Sequence, residues 1–176
     1  MLTKKEHHLE LHLDQFLMDR ESTAFSWGSN DCALFAADAI QAQTGVDIAE
    51  KFRGRYRTEL GAMKTIKKIT GGSTVADAAA YCATKHGMTE YEHPKMAKRG
   101  ELVIVRNADG NEIAGIVALN GRHVLSPGET GLVRFSILDV TRAWSISVVH
   151  DWIPPKWHGD HDPAIHTHKL FQGFTR

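Results

Sequence analysis

The sequence predicts an α+β domain. Apolar residues recur at helical spacing through the first half, the second half switches to short β-rich runs separated by turn residues, and the period changes between Gly87 and Leu102. A chain of 176 residues, 42% hydrophobic and 24% charged, suits one compact domain, assigned to residues 1–153, with an extended arm over 154–176.

Thr3 followed by Glu6 fits a capping box, and Leu9, Leu13, Phe16 and Leu17 then carry a first amphipathic helix through to Arg20. The period is lost from Glu21 to Gly28. Asn30 or Asp31 next offers an N-cap for a helix from Cys32 to Thr44, closed by Gly45, whose Ala-rich composition reads as buried on most sides. Residues 51–57 look irregular. Leu60, Met63, Ile66 and Ile69 predict a third helix ended by Gly71 and Gly72, and Thr74 with Asp77 opens a fourth, from Val75 to His86, stopped by Gly87.

The second half reads as an antiparallel meander of about five strands, at Leu102 to Val105, Ile113 to Leu119, His123 to Leu125, Leu132 to Ile137 and Trp144 to Val149. Asn120-Gly121 predicts a type I′ turn, with positive φ at both positions. From Pro154 the chain holds three prolines, four histidines and no period, which predicts an arm outside the sheet. Its Trp157, Leu170, Phe171 and Phe174 are too apolar for a solvated tail and predict docking, on a neighbouring subunit or back on the domain.

Composition excludes several functions. Twenty-one Lys plus Arg balance twenty-one Asp plus Glu, which removes the long-range attraction that general nucleic-acid binders use. Two cysteines are too few for a disulfide scaffold, and the default is thiols in a reducing compartment. No apolar run approaches the ~18 residues needed to span a bilayer, and the start MLTKKEHHLELH is charged where a signal peptide would be apolar. A soluble protein is expected.

The sharpest chemical feature is Cys32 in the first turn of a predicted buried helix, after the Gly-containing loop Phe25 to Asp31. Unpaired N–H groups and the positive end of the helix dipole stabilise a thiolate there, which predicts a lowered pKa and a nucleophile. The competing reading is a small buried hydrophobe, and Cys82, inside an Ala-rich helix, takes that reading.

The stretch Trp27-Gly28-Ser29-Asn30-Asp31-Cys32-Ala33-Leu34-Phe35, the later Arg99-Gly100-Glu101-Leu102-Val103 and the hairpin Ala114-Gly115-Ile116-Val117 resemble NlpC-type papain-like cysteine peptidases. In particular the chain is similar to small uncharacterised members encoded among phage tail genes, over roughly Phe25 to Val149. The resemblance implies a papain-like fold and a protein of the phage tail tip, in a class that often cleaves peptidoglycan stem peptides during entry. It also implies an imidazole at the start of the second strand, in a His-Val-Gly-Ile pattern, where this chain has Ile113-Ala114-Gly115-Ile116. Ile113 cannot accept a proton. The nearest candidate is His123, which corresponds better to the third, orienting position, and Gly100-Glu101 replaces the usual Gly-Asp. Trp27 and Asp31 match the motif and are read as a core anchor and a helix cap.

Two further groups are set aside. His158, Asp160, His161, Asp162, His166 and His168 have ligand-type side chains, but their spacing matches no closed metal site, so no metal or cofactor is assigned. Lys51, Arg53, Arg55, Arg57, Lys64, Lys67 and Lys68 oppose only Glu59 and read as a solvated basic face, with contact to a polyanion as the rival reading.

The expectation is therefore a structural phage-tail protein with a degenerate centre, its arm gripping other tail proteins. It assembles in the host cytoplasm and binds no specific nucleic acid. The rival readings are a working cell-wall peptidase or amidase with Cys32 attacking and His123 as base, and a cytoplasmic assembly factor. The residue at position 113 separates the first two.

Overall fold

The computed structural model describes residues 2–146. A π-helical turn, His8–Leu13, leads into α1 (Asp14–Arg20), followed by α2 (Cys32–Thr44), α3 (Glu59–Thr70) and α4 (Val75–Lys85). The strands are β1 (Thr89–Glu90), β2 (Leu102–Arg106), β3 (Glu112–Val117), β4 (His123–Pro127), β5 (Leu132–Ser136) and β6 (Val140–Ser145). They form one antiparallel sheet in the order β1-β6-β2-β3-β4-β5.

Three local expectations are corrected. The capping box at Thr3 and Glu6 does not form, because the residues before His8 are drawn into tertiary contacts. Leu2 is buried, the Lys5 backbone N–H donates to the Gln43 carbonyl (2.8 Å) and the Lys5 ammonium to the Ala42 carbonyl (2.9 Å), so this segment closes the C-terminal end of α2. His7, at φ 50°, turns the chain into the helix with no side-chain cap.

The second correction is the hairpin between β3 and β4. Gly121 alone of the expected pair takes a positive φ (68°); the Ala118 N–H donates to the His123 carbonyl (2.8 Å), so four residues, 119–122, make the connection. The Asn120 side-chain oxygen accepts from the Arg122 and His123 N–H groups (2.9 and 3.2 Å), which holds this longer loop without a left-handed Asn.

Third, the sheet is not a plain meander. Strands β2 to β5 follow in order, but β6 starts at Val140 and crosses back to pair with β2, with Leu102 opposite Trp144, and the two-residue β1 adds a sixth strand beyond it. The capping box at Thr74 and Asp77 and the left-handed glycines Gly45 and Gly71 (both φ 79°) stand as expected.

The main core lies between the helices and one face of the sheet: Phe35 and Ile40 of α2 and Ala83 of α4 meet Ile104, Ala114 and Ile116, all at most 1% exposed. The alternate residues Val103, Val105, Val117 and Val124 point the other way into a smaller core with Val140 and Ala143. Burial on both faces explains why these strands read as continuous apolar runs. It also makes the sheet a rigid platform against which α2 presents its N-terminus.

Candidate functional site

The site is built on the junction of the Phe25 to Asp31 loop with α2. Asn30 is buried; its amide donates to the Thr23 and Ala24 carbonyls (3.2 and 3.0 Å), and its oxygen accepts from Arg20, which also pairs with Asp38 on α2 (3.0 Å). Gly28 sits at φ 76° with its α-carbon pressed on the Tyr56 backbone, where a Cβ would lie 2.0 Å from the carbonyl oxygen. Only glycine meets both demands.

Asp31 is 1% exposed and accepts four hydrogen bonds. One oxygen takes the Ala33 and Leu34 N–H groups (3.1 and 3.0 Å), capping α2 as expected; the other takes the Gly28 N–H and the Tyr56 hydroxyl (both 2.9 Å). Cap, loop and the irregular segment around Tyr56 are thereby tied at one point. Tyr56 carried no periodic signal in the sequence, and only its side-chain contact marks it as part of the site.

Cys32 is the first residue of α2 and is half-buried, facing β3 near Ala114. The expected lowering of its pKa is not found: the thiol is pushed up to about 11. Burial is the largest cause and the neighbouring Asp31 carboxylate adds to it, while the backbone N–H groups of Ala114, Ala33 and Cys32 itself pull the other way and lose. At pH 7 such a thiol is held in its protonated form. Cys82, in the interior of α4, is likewise pushed up, to about 12, chiefly by burial.

In front of Cys32 opens a cleft of about 620 Å³. Phe25 and Trp27, packed edge to face at 4.9 Å, form one wall together with Tyr56; Met63 and Ile66 of α3 form another, and Arg106, Glu112 and Ile113 close the β2–β3 end. Trp27 is half-buried, serving both as an anchor against the core and as cleft lining. Ile113 borders the cleft, but it pairs with Val105 and packs against the smaller core on the other face of the sheet, and among the described residues no histidine lines the cleft. Glu112 precedes Ile113 on the strand. One of its carboxylate oxygens lies 3.5 Å from Arg106; the other is buried with no hydrogen-bond partner among the described residues. Strand alternation could have flagged Glu112, since it shares the face of Ala114.

The structure does not bring His123 to Cys32. His123 pairs with Ala118, four residues along from Ala114, a distance of about 13 Å at strand spacing. Its ring nitrogen Nδ1 accepts from the Asn120 amide (2.8 Å). That separation far exceeds the reach of a proton transfer. The β4 residue that lines the cleft is Pro127.

Glu101, just before β2, is 2% exposed and structural: it accepts from the Tyr91 hydroxyl (2.8 Å) and the Lys98 N–H (2.7 Å), with the Lys4 ammonium 3.9 Å away. The metal candidates His158, His161, His166 and His168, and the arm that carries them, lie outside the described residues. Among the described residues no group of three or more potential ligands could hold a metal, and no helix is long and apolar enough to cross a membrane.

No curated protein matches the sequence. A family described as a domain of unknown function, DUF6950, matches residues 4–146, a span that contains the loop, α2, the cleft and the whole sheet. The chain belongs to the DUF6950 family.

Proposed function

We propose that this protein is a structural component of the tail tip or hub of a phage or phage-like particle, with an NlpC-type papain-like fold whose catalytic centre is degenerate. The observation that carries the reading is the cleft itself: a thiol at the start of a buried helix faces a β-strand that offers Glu112 and Ala114, and no imidazole, on that side. Loss of a general base removes about 10²–10⁴ in rate, and a thiol with a pKa pushed up to about 11 supplies little nucleophile to compensate. A cleft walled by aromatic and aliphatic side chains remains able to hold an extended peptide segment. In this reading the domain assembles in the host cytoplasm, and residues 154–176 grip adjacent tail proteins.

Purified protein added to cell-wall suspensions tests the degenerate centre. Turbidity is expected to stay constant; a loss that vanishes in Cys32→Ala would overturn the reading and make the protein a working hydrolase. Mass spectrometry of purified particles tests the placement, with the chain expected in tails and absent from them when residues 154–176 are deleted. A chain missing from intact particles would defeat the tail assignment.

A further inference from the structure

The side of α3 turned away from the cleft forms a second, open groove of about 660 Å³, lined by Lys51, Arg55, Lys64, Thr65, Lys68 and Ile69. All four cations are exposed, and no carboxylate lines the groove. Of the acidic residues near in the chain, Asp38 and Asp47 are engaged by Arg53 and Glu50 by Lys85, while Glu59 at the start of α3 lines the cleft and not this groove. Lys51, Arg55, Lys64 and Lys68 form no ion pair among the described residues. The basic stretch therefore divides by structure, with Arg53 spent on internal pairs and four others gathered on one surface.

Lys64 and Lys68 are separated by one helical turn, about 6 Å of rise, which lets their long stems reach neighbouring phosphates of one strand. Ile69 supplies an apolar floor against which a base can rest between the cations, and Lys51 is held at the rim by the Tyr81 hydroxyl (3.3 Å), which lies outside the groove. A compact anion would engage only part of such a surface. We infer that this groove binds the phosphodiester backbone of single-stranded nucleic acid without reading its sequence. With zero net charge on the whole chain the attraction is local, so the binding is weak and steep in salt.

Fluorescence anisotropy of a labelled 20-nucleotide oligothymidine with the full chain tests the inference. Four neutralised phosphates predict a slope of log K against log salt of about −2.8, an affinity loss of about 50-fold between 50 and 200 mM salt. The double variant K64Q/K68Q keeps helix-favouring residues on an exposed face and is expected to halve that slope, to about −1.4. K67Q serves as the control, because the Lys67 ammonium donates to the Gly71 carbonyl (2.8 Å) and does not line the groove; it should leave the slope unchanged. A flat salt response, an unchanged slope in K64Q/K68Q, an equal loss in K67Q, or displacement by orthophosphate at matched ionic strength would each overturn the assignment.

Discussion

The two ends of the β3–β4 ribbon carry a thiol and an imidazole and hold them apart. At one end the Cys32 thiol lies against Ala114, in a cleft that Asp31, Tyr56 and Glu112 also line. At the other, His123 is bound to the Asn120 loop beside Ala118. The thiol end is buried and hydrogen-bonded from several segments, the imidazole end sits on an exposed turn, and the first has shape without a base while the second has a base without a nucleophile. The contrast teaches that a helix start does not by itself activate a cysteine. The dipole and N–H groups are present at Cys32, and desolvation outweighs them.

Four measurements break or sharpen this comparison. The largest effect is expected from Asp31→Ala, which removes the cap of α2 and leaves the buried Tyr56 hydroxyl and Gly28 N–H without an acceptor. Chemical denaturation should show a loss of about 4 kcal/mol, whereas Asn120→Ala at the exposed end should cost less than about 1 kcal/mol. Equal losses would mean that the two ends are not differently built.

Next comes Glu112→His, which places an imidazole on the strand face that Ala114 turns to the thiol. Alkylation of Cys32 by iodoacetamide at pH 7 should rise at least about tenfold, because a neighbouring imidazolium favours the thiolate. An unchanged rate would show that position 112 does not reach the thiol.

A smaller effect concerns pH. Both thiols hold their protons more tightly folded than unfolded, from an ordinary value of 9.0 to about 11 for Cys32 and about 12 for Cys82. Between pH 9 and 11 the unfolded chain therefore binds fewer protons than the native one, so stability is full below about pH 9 and falls as pH rises. Denaturation midpoints measured across that window should decline, and less steeply in Cys32→Ala. A flat profile would contradict the upward shift of both thiols.

The smallest effect is expected from His123→Ala, with Cys32 alkylation unchanged and stability within about 0.5 kcal/mol. A slowed alkylation would place the imidazole at the thiol after all.

Much of the architecture was legible locally. The caps at Asp31 and Thr74 and the stops at Gly45 and Gly71 obey rules that depend on a few neighbouring residues, and they are found where the sequence predicts them. The site was legible only in part: Cys32 and Asp31 lie at a recognisable helix start and strand alternation puts Glu112 on the face of Ala114, but Tyr56 comes from an irregular segment with no pattern linking it to the loop. The failed cap at Thr3 shows the same limit, since distant groups on α2 compete for the backbone that would have formed it.

By itself the sequence determined the α+β class, the position of Cys32 at the start of α2 and the absence of a histidine at position 113, because each follows from residue identity and short-range backbone chemistry. Only the tertiary structure decided that β6 crosses to the far side of β2, that His123 lies about 13 Å along the ribbon from the thiol's neighbour Ala114, and that the thiol keeps its proton. Strand order, separation through space and desolvation are set by which distant segments pack together.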